Sequence, residues 1–146
     1  VRLMPVKPVP GTFAVKAGTD EFTVAPDNAL RYRPYVVAME AVDAKRLVAA
    51  YVRFYPLFQS AYQELGYPDG YFNDRAIEVI DHLLATPEPP ETIALARPNV
   101  LYEFADPALE AESAGRKLLL RMGPGNAARV KMKLRDIRDR IAAAQY

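Results

Sequence analysis

The chain has 146 residues with 51% hydrophobic and 25% charged side chains, which is enough apolar material for one self-supporting globular domain. It contains no cysteine and one histidine, His82, which excludes disulfides, thiolate nucleophiles, zinc fingers, iron–sulfur clusters and most histidine relays. The net charge is +1, so bulk charge selects no partner, and no apolar run approaches the ~20 residues of a membrane-spanning helix.

The chain opens on Val1 and carries Pro5, Pro8 and Pro10 in close succession. Prolines at this density favour extended, unpaired backbone, so residues 1–10 are expected to be the end of a linker and residues 11–146 one globular helical domain. Phe13 and Val15 then alternate with polar or small neighbours, as do Phe22 and Val24. The intervening Lys16-Ala17-Gly18-Thr19-Asp20 suits a hairpin loop. Such a hairpin is marginal alone, and Thr92-Ile93-Ala94-Leu95 offers a third strand.

From Asp27 the helical period takes over. Asp27 and Asn28 can cap a segment to about Val42, with a break expected near Arg33-Pro34. Asp43 caps a long segment on which Leu47, Tyr51, Phe54, Phe58, Ala61 and Leu65 form one stripe at alternating spacings of four and three. Gly66 and Pro68 end it. Pro56 lies inside and predicts a kink or a split at Tyr55. After the turn Tyr67-Pro68-Asp69-Gly70, Asn73 is expected to cap a helix to about Ala85 with Ala76, Ile77, Ile80 and Leu84 inward; Pro87, Pro89 and Pro90 stop it. Asn99 to Phe104 reads equally as strand or helix. Asp106-Pro107 is a strong helix start, and that helix carries Leu109 with a break expected near Gly115 before Leu118, Leu119 and Leu120. Met122-Gly123-Pro124-Gly125 precedes a last helix with Val130, Leu134, Ile137 and Ile141 inward. The expected fold is mainly α: a compact bundle of five or six helices with a small antiparallel β element near the N-terminus.

Charge is unevenly spread. Residues 1–115 hold ten basic and sixteen acidic side chains, whereas residues 116–146 hold nine and two. The acidic middle and the basic end are therefore expected to pack near each other. The last helix presents Arg129, Lys131, Lys133, Arg135, Arg138 and Arg140. It reads either as a phosphate-tracking face or as a solvated face neutralised by Asp136, Asp139 and the acidic middle, and the near-zero total charge favours the second. Gly123-Pro124-Gly125-Asn126 lacks the lysine and hydroxyl of a phosphate loop. Glu78 and His82 share a helical face but have no second histidine to complete a metal site. Asp74, Glu78 and Asp81 read as a solvated acidic face rather than a glycosidase pair. Ser60 and Ser113 sit in no nucleophile motif.

Tyrosine is the conspicuous residue, nine in all with no tryptophan. Tyr55, Tyr62, Tyr67 and Tyr71, with Arg53 and Glu64 at the rim, are the candidate binding residues. If Pro56 kinks the helix, the carbonyl of Val52 is freed and the tyrosines can line the resulting gap with apolar rings and polar tips. The alternative is that the same rings fill a helical core.

Several strings carry a family resemblance: Leu30-Arg31-Tyr32, Tyr55-Pro56-Leu57 with Ala61-Tyr62-Gln63-Glu64-Leu65-Gly66-Tyr67-Pro68, and Ile80-Asp81-His82-Leu83-Leu84-Ala85-Thr86-Pro87. Further on come Phe104-Ala105-Asp106-Pro107 with Leu109-Glu110, and Leu120-Arg121-Met122-Gly123-Pro124. Together they resemble the bacterial domain-of-unknown-function family 3014, over nearly the whole chain from about Pro5. The resemblance brings no catalytic residue. It implies an N-terminal membrane segment and a proline-rich linker ahead of this domain, hence a tether to the inner membrane within the cell envelope. The functional expectation is a non-catalytic envelope interaction domain with a protein or peptide partner, no cofactor, no metal, and membrane contact only through a segment outside this chain. The runner-up is nucleic-acid or anionic-surface binding through the basic last helix; nucleic acid is not the expected partner.

Overall fold

The computed structural model describes residues 9–19, 21–88, 90 and 92–144. The linker expected over residues 1–10 therefore falls, apart from Val9 and Pro10, outside the described residues, as do Asp20 of the hairpin loop and the helix-stopping Pro89. Among the described residues the elements are β1 (Val15–Ala17), β2 (Phe22–Val24), α1 (Asn28–Ala41), α2 (Ala44–Glu64), α3 (Phe72–Leu84), β3 (Ala94–Ala96), β4 (Glu103–Phe104), α4 (Pro107–Glu110), α5 (Ala114–Arg121) and α6 (Pro124–Ala142). The fold is mainly α, six helices with a small antiparallel sheet. Two compact units are distinguished, Val1–Val36 with Glu88–Ala127, and Val37–Pro87 with Ala128–Tyr146.

The first unit contains the sheet, in the order β1-β2-β3-β4 and antiparallel throughout. The hairpin starts later than its alternation suggests. Phe13 precedes β1, and Val15 pairs with Val24. Phe22 pairs with Leu95, which makes residues 94–96 the third strand. Leu95 pairs in turn with Phe104, which resolves the ambiguous segment as strand. The inward residues Ile93, Leu95 and Phe104 join Leu109 and Leu120 in one core, with Phe13, Val15, Phe22, Val24 and Tyr102 packed around it. Adding two short strands, β3 and β4, to the two-stranded hairpin gives it the apolar backing it lacks alone.

Asn28 opens α1 and is fully buried. Its Oδ1 accepts from the Ala14 amide at 3.3 Å and from Arg31 at 2.8 Å, and its Nδ2 donates to the Arg121 carbonyl at 2.7 Å. It is thus less a cap than a three-way clamp between the strand approach, α1 and the end of α5. Asp106 caps α4 by accepting from the Ala108 amide, with Pro107 in the first turn. Ser113 caps α5, so the break between these helices lies at residues 111–113 and Gly115 sits inside α5. Gly123 takes φ +84°, and a Cβ there would come within 3.3 Å of Ala29. Asn126, just beyond, donates to the carbonyls of Ala29 and Met122.

The second unit is helical. Val48, Ile80 and Ile141 form its buried centre, with Tyr51, Val52, Ile77, Leu84, Leu134 and Ile137 against it. Ile77, Ile80 and Leu84 of α3 and Leu134, Ile137 and Ile141 of α6 are therefore inward as expected, and Ala76 and Val130 are half-buried. Neither internal proline breaks its helix: α1 runs through Pro34 and α2 through Pro56. A proline removes one backbone hydrogen bond. On α2, side chains packed on both sides of it (Val48, Tyr51 and Val52 before, Gln59 and Tyr62 after) hold the helix through the gap. Asp43 caps α2 by accepting from the Arg46 amide at 2.8 Å, and Gly66 at φ +105° ends it.

Candidate functional site

The packed face of α2 carries the site. Gln59 is its organiser. Its Nε2 donates to the Gly70 carbonyl at 2.8 Å, and its Oε1 accepts from the Phe72 amide at 2.8 Å and from the Tyr55 hydroxyl at 3.0 Å. One amide side chain thereby supplies the start of α3 with the acceptor it needs. The expected cap, Asn73, instead lies inside α3, which begins at Phe72 after Tyr71, and its Oδ1 accepts from the Tyr51 hydroxyl at 3.2 Å. Gln63 donates to the Pro68 carbonyl at 3.3 Å and secures the same turn. Gly70 gives the Tyr62 ring room, because a Cβ there would sit 3.0 Å from Tyr62 Cε1 and the ring would have to shift.

Around this frame the aromatic rings interlock. Phe58 stacks between Tyr51 and Phe72 at centroid distances of 5.7 and 5.6 Å. Tyr62 meets Phe72 edge-on and stacks flat on Tyr67 at 4.6 Å. Such pairs contribute about 0.5–1.5 kcal/mol each beyond the burial of their area. Tyr55 and Tyr71, with Gln59, Asn73 and Asp74, line an open depression of about 310 Å³.

The six residues singled out in the sequence are thus only partly united. Tyr55 and Tyr71 share the depression, with Tyr71 66% exposed. Tyr62 and Tyr67 form a separate stacked pair on the turn, Tyr62 half-buried and Tyr67 exposed. Arg53 lies on the outer side of α2 with its guanidinium over the Phe54 ring, and Glu64 accepts from the Ser60 hydroxyl; neither lines the depression. α2 does not split at Tyr55; it runs unbroken through Pro56 from Ala44 to Glu64. Gln59, which sequence reasoning passed over, and Asn73, read there only as a helix cap, supply the polar groups. Their only signal was amide side chains at half-buried positions beside tyrosines.

A second concavity, of about 480 Å³, lies in the sheet-bearing unit among Phe13, Tyr32, Leu95, Tyr102, Leu118 and Arg121. Arg31 also borders it, but its guanidinium is committed to the carbonyls of Val9, Pro10 and Gly11 and to Asn28. Arg121 rests over the rings of Phe13 and Phe104. Here Arg31, Tyr32 and Arg121, far apart in sequence, border one concavity, and Arg121 reaches the Phe104 ring.

The cations of α6 are largely engaged within the helical unit. Arg129 forms a two-pronged pair with Glu40, and Arg138 does the same with Asp81 at 2.8 and 3.2 Å. Lys131 donates to the Thr86 carbonyl, Lys133 to those of Glu40 and Val42, and Arg140 to Asp136. The hydrogen bonds from Arg129 and Arg138 hold the Glu40 and Asp81 carboxyls below their ordinary pKa values. Asp81 is therefore an ion-pair partner rather than half of an acid–base pair with Glu78, which itself pairs with Arg75. His82 is exposed on α3. Among the described residues no cluster of three or more His, Asp or Glu side chains is placed to hold a metal ion, and no helix is long and apolar enough to cross a membrane.

The architecture is that of a small helical domain with an aromatic surface. The family described as Protein of unknown function (DUF3014) matches residues 1–138, and the chain belongs to it. Neither the curated proteins nor the solved structures provide a match.

Proposed function

We propose that this chain is a non-catalytic interaction domain, tethered to the inner membrane by a segment outside it, that binds a protein or peptide partner at the tyrosine surface where α2 meets α3. The observation that supports this reading is the depression lined by Tyr55 and Tyr71. It offers ring faces beside the amides of Gln59 and Asn73 and the carboxylate of Asp74. Rings with polar tips next to fixed amides are the chemistry of peptide recognition, where apolar contact and backbone hydrogen bonding are needed together. The anionic-surface reading draws less support. A phosphate-tracking helix needs its cations directed at solvent, and those of α6 are mostly committed to carboxylates and carbonyls of their own unit.

Crosslinking with mass spectrometry on the full-length membrane form is the test, run on the native sequence, on Tyr71→Ala and on Tyr35→Ala as an exposed control outside the site. The expected result is a partner crosslinked through α2 and α3 that Tyr71→Ala loses and Tyr35→Ala keeps, at unchanged melting temperature. Crosslinks insensitive to Tyr71→Ala would overturn the assignment. So would a steeply salt-dependent affinity for duplex DNA in an anisotropy titration.

A further inference from the structure

The outer side of α2 carries an apolar band that stays largely exposed, with Phe58 at its inner edge, one flank of its ring packed on Tyr51 and Phe72. Leu47, Phe54, Phe58 and Leu65 are 43%, 48%, 41% and 77% exposed, and Leu57 beside them is 65% exposed. Ala50 and Ala61 in the same band are small and exposed, so a neighbour can approach closely. At 100° per residue these positions form a strip next to the packed Val48-Tyr55-Tyr62 face, with Arg46, Arg53 and Glu64 along its far rim. Isolated exposed apolar residues need no explanation, but a contiguous strip along a whole helix marks an interaction surface.

Its order identifies the occupant. The spacings between Leu47, Phe54, Phe58 and Leu65 are seven, four and seven, the repeat of a helix–helix seam. The pattern is also palindromic, reading leucine, phenylalanine, phenylalanine, leucine from either end about position 56. An isologous two-fold interface requires this property, because residue i must meet j while j meets i. Run antiparallel against itself, α2 would place Leu47 on Leu65 and Phe54 on Phe58 in both directions. The rim agrees: Arg46 lies at one end and Glu64 at the other, so the antiparallel arrangement brings each arginine within a turn of the opposite glutamate. The five apolar side chains, two of them aromatic, would remove on the order of 1,000 Å² from water in the pair, the lower edge of specific interfaces.

We infer that α2 docks on α2 of a second copy of this chain, antiparallel and about a two-fold axis near position 56. The pairing uses the outer strip and leaves the Tyr55–Tyr71 depression free, so it stands independently of the proposed partner site.

The absence of native cysteine makes the register directly testable. Leu47→Cys with Leu65→Cys on one chain should give a disulfide-linked dimer under mild oxidation. Either substitution alone should not, since position 47 lies about 27 Å along the helix from position 65. Sedimentation of the unmodified chain over two decades of concentration should show a monomer–dimer equilibrium. Leu57→Glu, at a solvent-facing position, should weaken it about tenfold or more without lowering the melting temperature. Arg46→Glu should weaken it several-fold, and Arg46→Glu with Glu64→Arg should restore it, an outcome that a folding defect cannot produce. A monomer at every concentration, or crosslinking by Leu47→Cys alone, would overturn the inference. Tyr71→Ala is expected to leave self-association unchanged, which separates failure here from failure of the partner site.

Discussion

Asn28 illustrates how one side chain can carry a tertiary junction. It is 0% exposed, and its amide satisfies a strand-side amide, an arginine on its own helix and the last carbonyl of a helix 93 positions away. Removing a buried partner leaves each of those groups with its full desolvation cost, about 1–3 kcal/mol. Asn28→Ala should therefore destabilise the sheet-bearing unit by about 2–4 kcal/mol, read as a lower urea midpoint at unchanged slope. Asn28→Asp should fare no better, because a carboxylate cannot donate to the Arg121 carbonyl. In sequence, Asn28 was visible only as a helix-start residue. The distant partners that make it indispensable follow from the chain returning to the same place at Arg121.

At the scale of elements, α2 is the instructive case. Its start at Asp43, its end at Gly66 and its apolar spacing were all legible. The consequence of Pro56 was not, because local rules count the lost hydrogen bond and steric clash but not the packing that spans them. Since the helix persists, the proline is a standing local cost. Pro56→Ala should restore an amide donor toward the Val52 carbonyl and raise stability by about 1–3 kcal/mol, measured by urea denaturation. A fall in stability would instead show that packing of the Tyr51–Phe72 cluster depends on the altered helix path. Spacing also left open which apolar residues lie inside. Residues 47, 54 and 65 sit on the stripe most visible in sequence and stay exposed, yet the face that packs is 48, 51, 52, 55, 59 and 62, with Phe58 at its edge. A helix apolar over more than half its circumference satisfies several faces at once, and only the positions of α3 and α6 select one.

For the whole molecule, the uneven charge distribution becomes a set of named pairs within each unit. Arg138 meets Asp81 and Arg129 meets Glu40 in the helical unit; Lys117 meets Glu110 in the other. Hydrogen bonds from these cations hold the three carboxyls below their ordinary values, with the Phe104 amide adding to the effect at Glu110. A depressed carboxyl stays ionised in the folded chain at a pH where the unfolded chain already binds a proton. Its contribution is complete above the ordinary carboxylate values of 4.5 for glutamate and 3.8 for aspartate, and is lost as pH falls through the lower folded values. Thermal stability should therefore be flat near neutrality and decline on acidification below about pH 4.5. Asp81→Asn should remove part of that acid limb. Because the pairs are partly exposed and screened by solvent, the melting temperature should fall only slightly between low salt and ~0.5 M sodium chloride.

What the amino-acid sequence determined by itself is what short-range physics governs. The helix starts at Asp43 and Asp106, the stops at Gly66 and before Pro124, the mainly helical class with a small antiparallel sheet, and the family resemblance all rest on residues within a turn or two of one another. Tertiary structure alone decided the rest. It moved β1 past Phe13, because strand limits depend on where Val24 and Leu95 offer partners. It carried α1 and α2 through their prolines, made Asn28 a junction, and divided six candidate residues between a depression, a stacked pair and a solvent-facing rim. These outcomes turn on burial and on hydrogen-bond partners tens of residues away, and local periodicity contains no term for either.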